Sequence, residues 1–185
     1  MDFLKGLKNM VLYRELNVNE IHINLFKAFQ RKQIVKQCWR KEGDQWMIQE
    51  HPFVDDWGSE EYKELVRCLR NTVSTGGLVY GAFIHNQLKG FVSVEGSPIG
   101  SSSQYLDLTS IHVSQDMRRQ GIGKELFSIA KRFARERKAK KLYISAHSAV
   151  ESQAFYRAMG CTEAKEYQRE HVEKEPYDCQ LECEV

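Results

Sequence analysis

The sequence has no apolar run long enough to span a bilayer, no repeat, no low-complexity tract and no cysteines paired as CxxC. Each absence removes a class. Because the opening "MDFLKGLKNMVLYREL" also lacks such a run, neither a membrane span nor a secretory signal is expected. The five cysteines (Cys38, Cys68, Cys161, Cys179, Cys183) are odd in number and scattered. They indicate neither a disulfide framework nor a zinc site, no metal is implied, and a reducing cytoplasm fits them. Charge of one sign is scarce too: 27 Lys and Arg against 25 Asp and Glu leave a net +2, far from the footprint of a dedicated nucleic-acid binder. "KRFARERKAKK" reads as a solvated helix face, so no nucleic-acid and no membrane partner is expected.

What is present is a chain of 185 residues, 42% of them hydrophobic, enough for one buried core. One domain over 1–185 is expected. "MVLYREL" reads as a strand, and "NVNEIHINLFKAFQRKQ" as an amphipathic helix through Ile21, Leu25, Phe26 and Phe29. "CWRKEGDQWMIQEHPFVDDWGS" looks irregular. "SEEYKELVRCLRNTVSTGG" reads as a helix capped by Ser59 and stopped by its glycines, and "LVYGAFIHNQLKGFVSVEG" as a hairpin turning at "HNQ". "GSPIGSSSQ" is a loop by composition.

In "YLDLTSIHVS" the alternation slips: Leu106 and Leu108 sit at even positions, Ile111 and Val113 at odd ones. A strand keeps one face only at period two, so a β-bulge near Thr109 and Ser110 would account for the slip. A strand covered on both faces would need no alternation and is the other reading.

The corner "DMRRQGIGKELF" lies between that strand and a helix whose apolar stripe is Ile122, Leu126, Ile129, Ala130 and Phe133. Gly121 and Gly123 carry no side chains where backbone would approach a ligand. The free N–H groups and positive dipole of the helix start would face that space, with Arg118, Arg119 and Lys124 beside it. This describes an anion cradle; a purely structural glycine turn is the alternative. A P-loop fails because Arg118 stands five before Gly123 and Glu125 follows Lys124, and a dinucleotide fingerprint fails because its third glycine would be Leu126.

With "KKLYISAH" and "SAVESQAFYRAMGC" added, the C-terminal half resembles the GNAT superfamily of N-acetyltransferases, closely over about residues 78 to 165. The resemblance implies an α/β fold in a single domain: a mixed, mostly antiparallel sheet with helices on both faces and a bulged central strand. It implies that Arg118, Arg119, Gln120, Gly121, Ile122 and Gly123, with Lys124, hold the pyrophosphate of acetyl-CoA, and that Ile111, His112 and Val113 lie along the pantetheine and acetyl group. Through "AFYRAMGC" the resemblance also implies that Tyr156 lies near the CoA sulfur as a proton donor to the thiolate. The family's frequent asparagine near that helix start is missing, so Ala149, Glu151 or Ser152 would serve there, and Cys161 stands where an aromatic is common. Asp107 is the first candidate for the base, with Glu95 on the preceding strand and water as the others.

The implied activity is acetyl transfer from acetyl-CoA to a primary amine of a small molecule or peptide. A non-catalytic acyl-CoA-binding or regulatory module is the alternative. "DDWGSEEY" supplies Asp55, Asp56 and Trp57, which suit a cationic amine; an acidic helix start complementing its dipole is the competing reading. The C-terminal "YDCQLECEV" reads as a strand closing the sheet and, as in many GNAT proteins, a contributor to a homodimer.

Overall fold

The structure, a computed structural model, describes residues 10–185; the first nine residues of the opening segment lie outside it. The strands are β1 (Leu12–Glu15), β2 (Lys32–Glu42), β3 (Gln45–Asp56), β4 (Leu78–Ile84), β5 (Gln87–Val94), β6 (Tyr105–Val113), β7 (Lys141–Ala146), β8 (Thr162–Glu163) and β9 (Cys179–Glu184). The helices are α1 (Ser59–Ser74), α2 (Ile122–Glu136), α3 (Val150–Ala158) and α4 (Arg169–Lys174). Seven strands form one sheet in the order β1-β4-β5-β6-β7-β9-β8, and β2 and β3 form a separate hairpin. Every pairing is antiparallel except β6 with β7.

The strands of the sheet alternate between two cores. Ala82, Val92 and Val94 face Leu126 and Ala130 of α2, whereas Val79, Phe83 and Phe91 face Leu65 and Leu69 of α1. Helices therefore cover both faces, and the stripe of α2 is buried except at half-buried Phe133. Leu126 is fully buried, and truncating it to alanine would cost about 2–5 kcal/mol through lost transfer energy and a cavity.

Several expectations are corrected. The segment expected as a first helix contains only a 3-10 turn, Ile23–Phe26, before β2 begins at Lys32. Asn17 and Glu20 divert the backbone: the Asn19 N–H donates to the Asn17 side chain at 3.0 Å, and the Asn17 N–H to Glu20 at 3.0 Å. The apolar residues are then placed by tertiary contacts, Phe26 and Phe29 packing on Phe91 at 5.5 and 5.4 Å. The stretch read as irregular is mostly the β2–β3 hairpin, turning at Gly43 and Asp44. Its register breaks opposite His51 and Pro52, where a missing N–H does least harm to the ladder. Only Val35 and Cys38 are buried in it, so no alternation announces the strands.

Gly58, rather than Ser59, caps α1, because the Glu61 side chain reaches back to accept from the Gly58 N–H at 2.9 Å. At the other end Gly76 and Gly77 donate to Val73 and Thr72 at 3.1 and 2.8 Å, closing the helix as the glycine pair leads one to expect. The β4–β5 hairpin turns at His85 and Asn86, both at positive φ.

The bulge is present. Ser93 pairs with Ser110 but Val94 with Leu108, which leaves Thr109 as the extra residue, its hydroxyl 2.8 Å from that of Ser93. β6 and β7 pair only from Tyr105 to Asp107 and from Lys141 to Tyr143. Beyond Asp107 they part, and the backbone edge of β6 facing β7 is left without a ladder.

Candidate functional site

Where β6 and β7 part, a cavity of about 1320 Å³ opens, walled by both strands and by α1, α2 and α3. The glycine corner forms one end of it. Gly121 caps α2 at φ +82, and a Cβ built there would meet nothing within 4 Å. The first internal bond of the helix runs from the Glu125 N–H to the Gly121 carbonyl, and no side chain caps the start. The N–H groups of Ile122, Gly123 and Lys124 are thus free at the cavity wall with the dipole behind them.

Gly123 has a different role from the one its spacing implied. Its added Cβ would stand 3.2 Å from the Phe155 ring and 3.6 Å from Val113, so it makes room for α3 rather than for a ligand. The loop before the helix is pinned by Lys89, whose buried ammonium donates to the Ala28 carbonyl at 2.9 Å and to Asp116 at 2.8 Å. Arg118 donates to the carbonyls of Lys32 at 2.7 Å and Val113 at 3.3 Å, which fixes the loop to β2. Arg119 lies exposed at the wall with φ +61, beside Lys124, while exposed Gln120 points its amide towards the Met117 sulfur and is not part of the wall.

Along β6, Ile111, His112 and Val113 all line the cavity. His112 lies against Trp57 at 4.8 Å and Phe91 at 5.3 Å, and burial first, then Arg31 and Arg118, hold its pKa well below the ordinary value. On α3, Ser152 and Tyr156 complete the wall. Tyr156 is packed by Phe127 and Phe155, and burial raises its pKa, so the phenol keeps its proton at neutral pH. No hydrogen bond to another described residue contributes to that shift.

Three residues read as acceptor-side groups fare differently. Trp57 lines the cavity beneath the Arg31 guanidinium, 4.9 Å away. Asp55 also lines it, but Arg31 pairs with it at 2.6 Å, so its charge is already neutralised. Asp56 is off the wall, loosely paired with Lys32 at 3.8 Å. Of the base candidates, Glu95 lines the cavity just past the end of β5 and accepts from Thr72 at 2.6 Å. Asp107 is buried behind the wall, one oxygen 2.7 Å from His171 of α4 and the other without a partner.

The model of the Acetyltransferase (GNAT) family matches residues 42–161. The chain belongs to this family. The match begins inside β2, well before the stretch in which the motifs stand out. No curated protein matches the chain. Solved structures do: a proposed streptothricin acetyltransferase from Bacillus anthracis str. Ames in complex with acetyl coenzyme A has TM-score 0.72 and 19% identity over 95% of this chain and 99% of that one. A nourseothricin acetyltransferase follows with TM-score 0.64 and 19% identity over 93% and 95%. The PaiA N-acetyltransferase of Thermoplasma acidophilum, in complex with coenzyme A, has TM-score 0.58 and 12% identity over 95% and 99%. At these identities the likeness is one of fold.

The GNAT chain brings two further groups to the cavity that the motifs did not announce. Asp178, just before β9, accepts from Ser145 at 3.4 Å, and burial followed by the nearby Glu175 pushes its pKa up to about 6. His171 reaches the wall from a six-residue helix. Neither belongs to a recognisable local pattern; only the pairing of β7 with β9 and the docking of α4 bring them in. Among the described residues no group of His, Cys, Asp and Glu has the arrangement of a metal site.

Proposed function

We propose that the chain, one N-acetyltransferase domain over 1–185, binds acetyl-CoA in the cavity and moves its acetyl group to a primary amine of a small molecule or peptide by direct attack. The carrying observation is the parting of β6 and β7 onto the free N–H groups of α2. An open backbone edge suits an amide-bearing arm, and a helix start at Gly121, where no atom lies in the path of a Cβ, suits a pyrophosphate. Gly121, Ile122, Gly123 and Lys124 hold the phosphates through backbone N–H groups, Arg119 and the Lys124 ammonium add charge, and Ser152 lies alongside. Arg118 acts by holding the loop.

Acetyl-CoA supplies an activated thioester carbonyl. Tyr156, kept protonated by its burial, donates to the departing sulfur. The amine must be neutral to attack, and the groups around the far end of the cavity take up its proton.

The acceptor is cationic in this reading, as the sequence proposed, but on other residues. With Asp55 paired to Arg31, and Glu60 and Glu64 of α1 paired to Lys63 and Arg67, the acids of the wall that carry the reading are Glu95, Asp178 and Glu175. Trp57 adds a ring to it. The similar structures named for streptothricin and nourseothricin carry neither acceptor across at 19% identity. The free cysteines support a reducing, cytoplasmic setting, and no described helix is long and apolar enough to cross a membrane.

The test is release of CoA thiol from acetyl-CoA with a panel of amines, together with calorimetry of acetyl-CoA alone. Binding with amine-dependent turnover is the expected result. Binding without turnover on any amine would make the chain an acyl-CoA-binding module instead, and no binding would remove the reading.

A further inference from the structure

The carboxylate read from the sequence as the base does not reach the cavity. Asp107 is 7% exposed and sits at the last paired position before β6 and β7 part. One of its oxygens is 2.7 Å from His171 Nε2, and the other has no hydrogen-bond partner. The imidazole stands between this carboxylate and the cavity, which His171 lines and Asp107 does not. The Tyr143 ring lies behind it at 5.5 Å, tilted by 31°, and limits its rotation.

We propose that His171 accepts the proton of the attacking amine and that Asp107 is its positioning residue. The proposal rests on the transferase reading above. A carboxylate can only accept, so Nε2 carries the proton that faces Asp107 and the lone pair is on Nδ1. Nδ1 has no hydrogen-bond partner among the described residues. As the amine nitrogen bonds to the thioester carbon and the carbon–sulfur bond breaks, the nitrogen's surplus proton passes to Nδ1. The sulfur leaves with the bonding pair and is protonated by Tyr156 or water, and His171 returns its proton to solvent. The products are the amide and CoA thiol, with no other reactant needed.

Position favours this arrangement. The bulge residue Thr109 follows Asp107 by two, so the histidine held on Asp107 lines the cavity next to the point where the strand edge opens. The hydrogen bond to Asp107 raises the His171 pKa, burial opposes it, and Lys174 and Glu170 on α4 act in opposite senses; Asp178, preceding β9, stands near enough to sense its charge, with Glu175 near Asp178 in turn. A raised value makes a stronger base that stays protonated to higher pH, so turnover should rise with pH as His171 loses its proton. A mere clamp holding α4 to the sheet would show no such link.

The experiment has three parts. In the wild type, the acidic limb of kcat/KM should coincide with the titration of His171 followed by NMR in the free enzyme. His171→Gln should lower kcat by about a hundred- to ten-thousandfold, and His171→Ala should be partly rescued by added imidazole. Asp107→Asn should lower kcat about tenfold or more and move the acidic limb to lower pH, because the partner that raises the histidine is gone. Acetyl-CoA affinity by calorimetry should hold in all three. If the wild type turns over and its limb does not follow His171, or if a folded His171→Gln protein keeps its rate, the assignment falls while the transferase reading stands. If the wild type turns over no amine, both fall.

Discussion

Replacing Asp178 by asparagine should make the folded chain more stable at neutral and alkaline pH. Asp178 faces the cavity with a single long hydrogen bond from Ser145, 3.4 Å, and with Glu175 adding like charge. Burial is the larger cause that moves its pKa from 3.8 to about 6. The folded state therefore holds the proton more tightly than the unfolded chain does. The stabilising contribution is complete below about 3.8 and is lost as pH rises through about 6. Each tenfold in an acid constant is about 1.4 kcal/mol, so ionised Asp178 costs up to about 3 kcal/mol, and solvent in an open cavity reduces that to about 1–3 kcal/mol. Asparagine keeps the shape and an acceptor for Ser145 and removes the charge. For a domain of this size the gain corresponds to about 2–10 °C in Tm at pH 8.

The assay is thermal unfolding of both proteins across pH 4 to 8. The gain should be full at pH 8 and mostly gone at pH 4, where Asp178 is neutral in the folded state and only partly ionised in the unfolded one. A gain of equal size at pH 4, or none at pH 8, would refute the argument, since only the charge differs between the variants. A carboxylate kept against its own stability cost at a cavity wall is the signature of a working group. The same substitution should raise KM for a cationic acceptor and leave acetyl-CoA affinity unchanged.

Gly121→Ala should weaken acetyl-CoA binding at least tenfold by calorimetry, because the new methyl enters the cradle and φ +82 is strained for alanine; an unchanged Kd would show that the phosphates bind elsewhere. Tyr156→Phe should lower kcat about ten- to a thousandfold with Kd for acetyl-CoA nearly kept; full turnover in the folded variant leaves the thiolate to be protonated by water. Asp55→Asn should cost about 3–5 kcal/mol in urea unfolding, because Arg31, 8% exposed and with two nitrogens already unpartnered, would be left as a buried lone cation; a loss below about 1 kcal/mol would show that water reaches the guanidinium.

The glycine-corner end of the cavity was legible because its signals are local. A phase slip, two glycines, a stripe on α2 and a tyrosine on α3 are each written in a few consecutive residues, and each corresponds to one backbone feature. The opposite end was not. His171 and Asp178 arrive from elements after α3, and nothing near either residue in the sequence says which strand it will face. The misread first helix has a related cause: Ile21, Phe26 and Phe29 have helical spacing, yet Asx bonding at Asn17 and the aromatic cluster on Phe91 decide the backbone instead. The β2–β3 hairpin was invisible because most of its side chains face solvent.

One extra residue in β6 accounts for much of the site. Between Val94 and Val92 strand β5 advances by two, while its partners Leu108 and Ile111 are three apart. The apolar pairs Val94 with Leu108 and Val92 with Ile111 thus stay on the α2 face, as the buried cluster there requires. Were Thr109 held in a regular ladder instead of bulged out, Ile111 would point to the α1 face and His112 into the core under α2. The same insertion falls just after the last pairing with β7, so the strand turns away there and leaves its edge unpaired. Asp107, just before the kink, keeps its place against β7 and holds His171 from behind, while the backbone edge from Thr109 onward has no partner strand on the β7 side. In this sequence burial of the core and opening of the cavity are therefore met together, by bulging a single threonine out of the ladder.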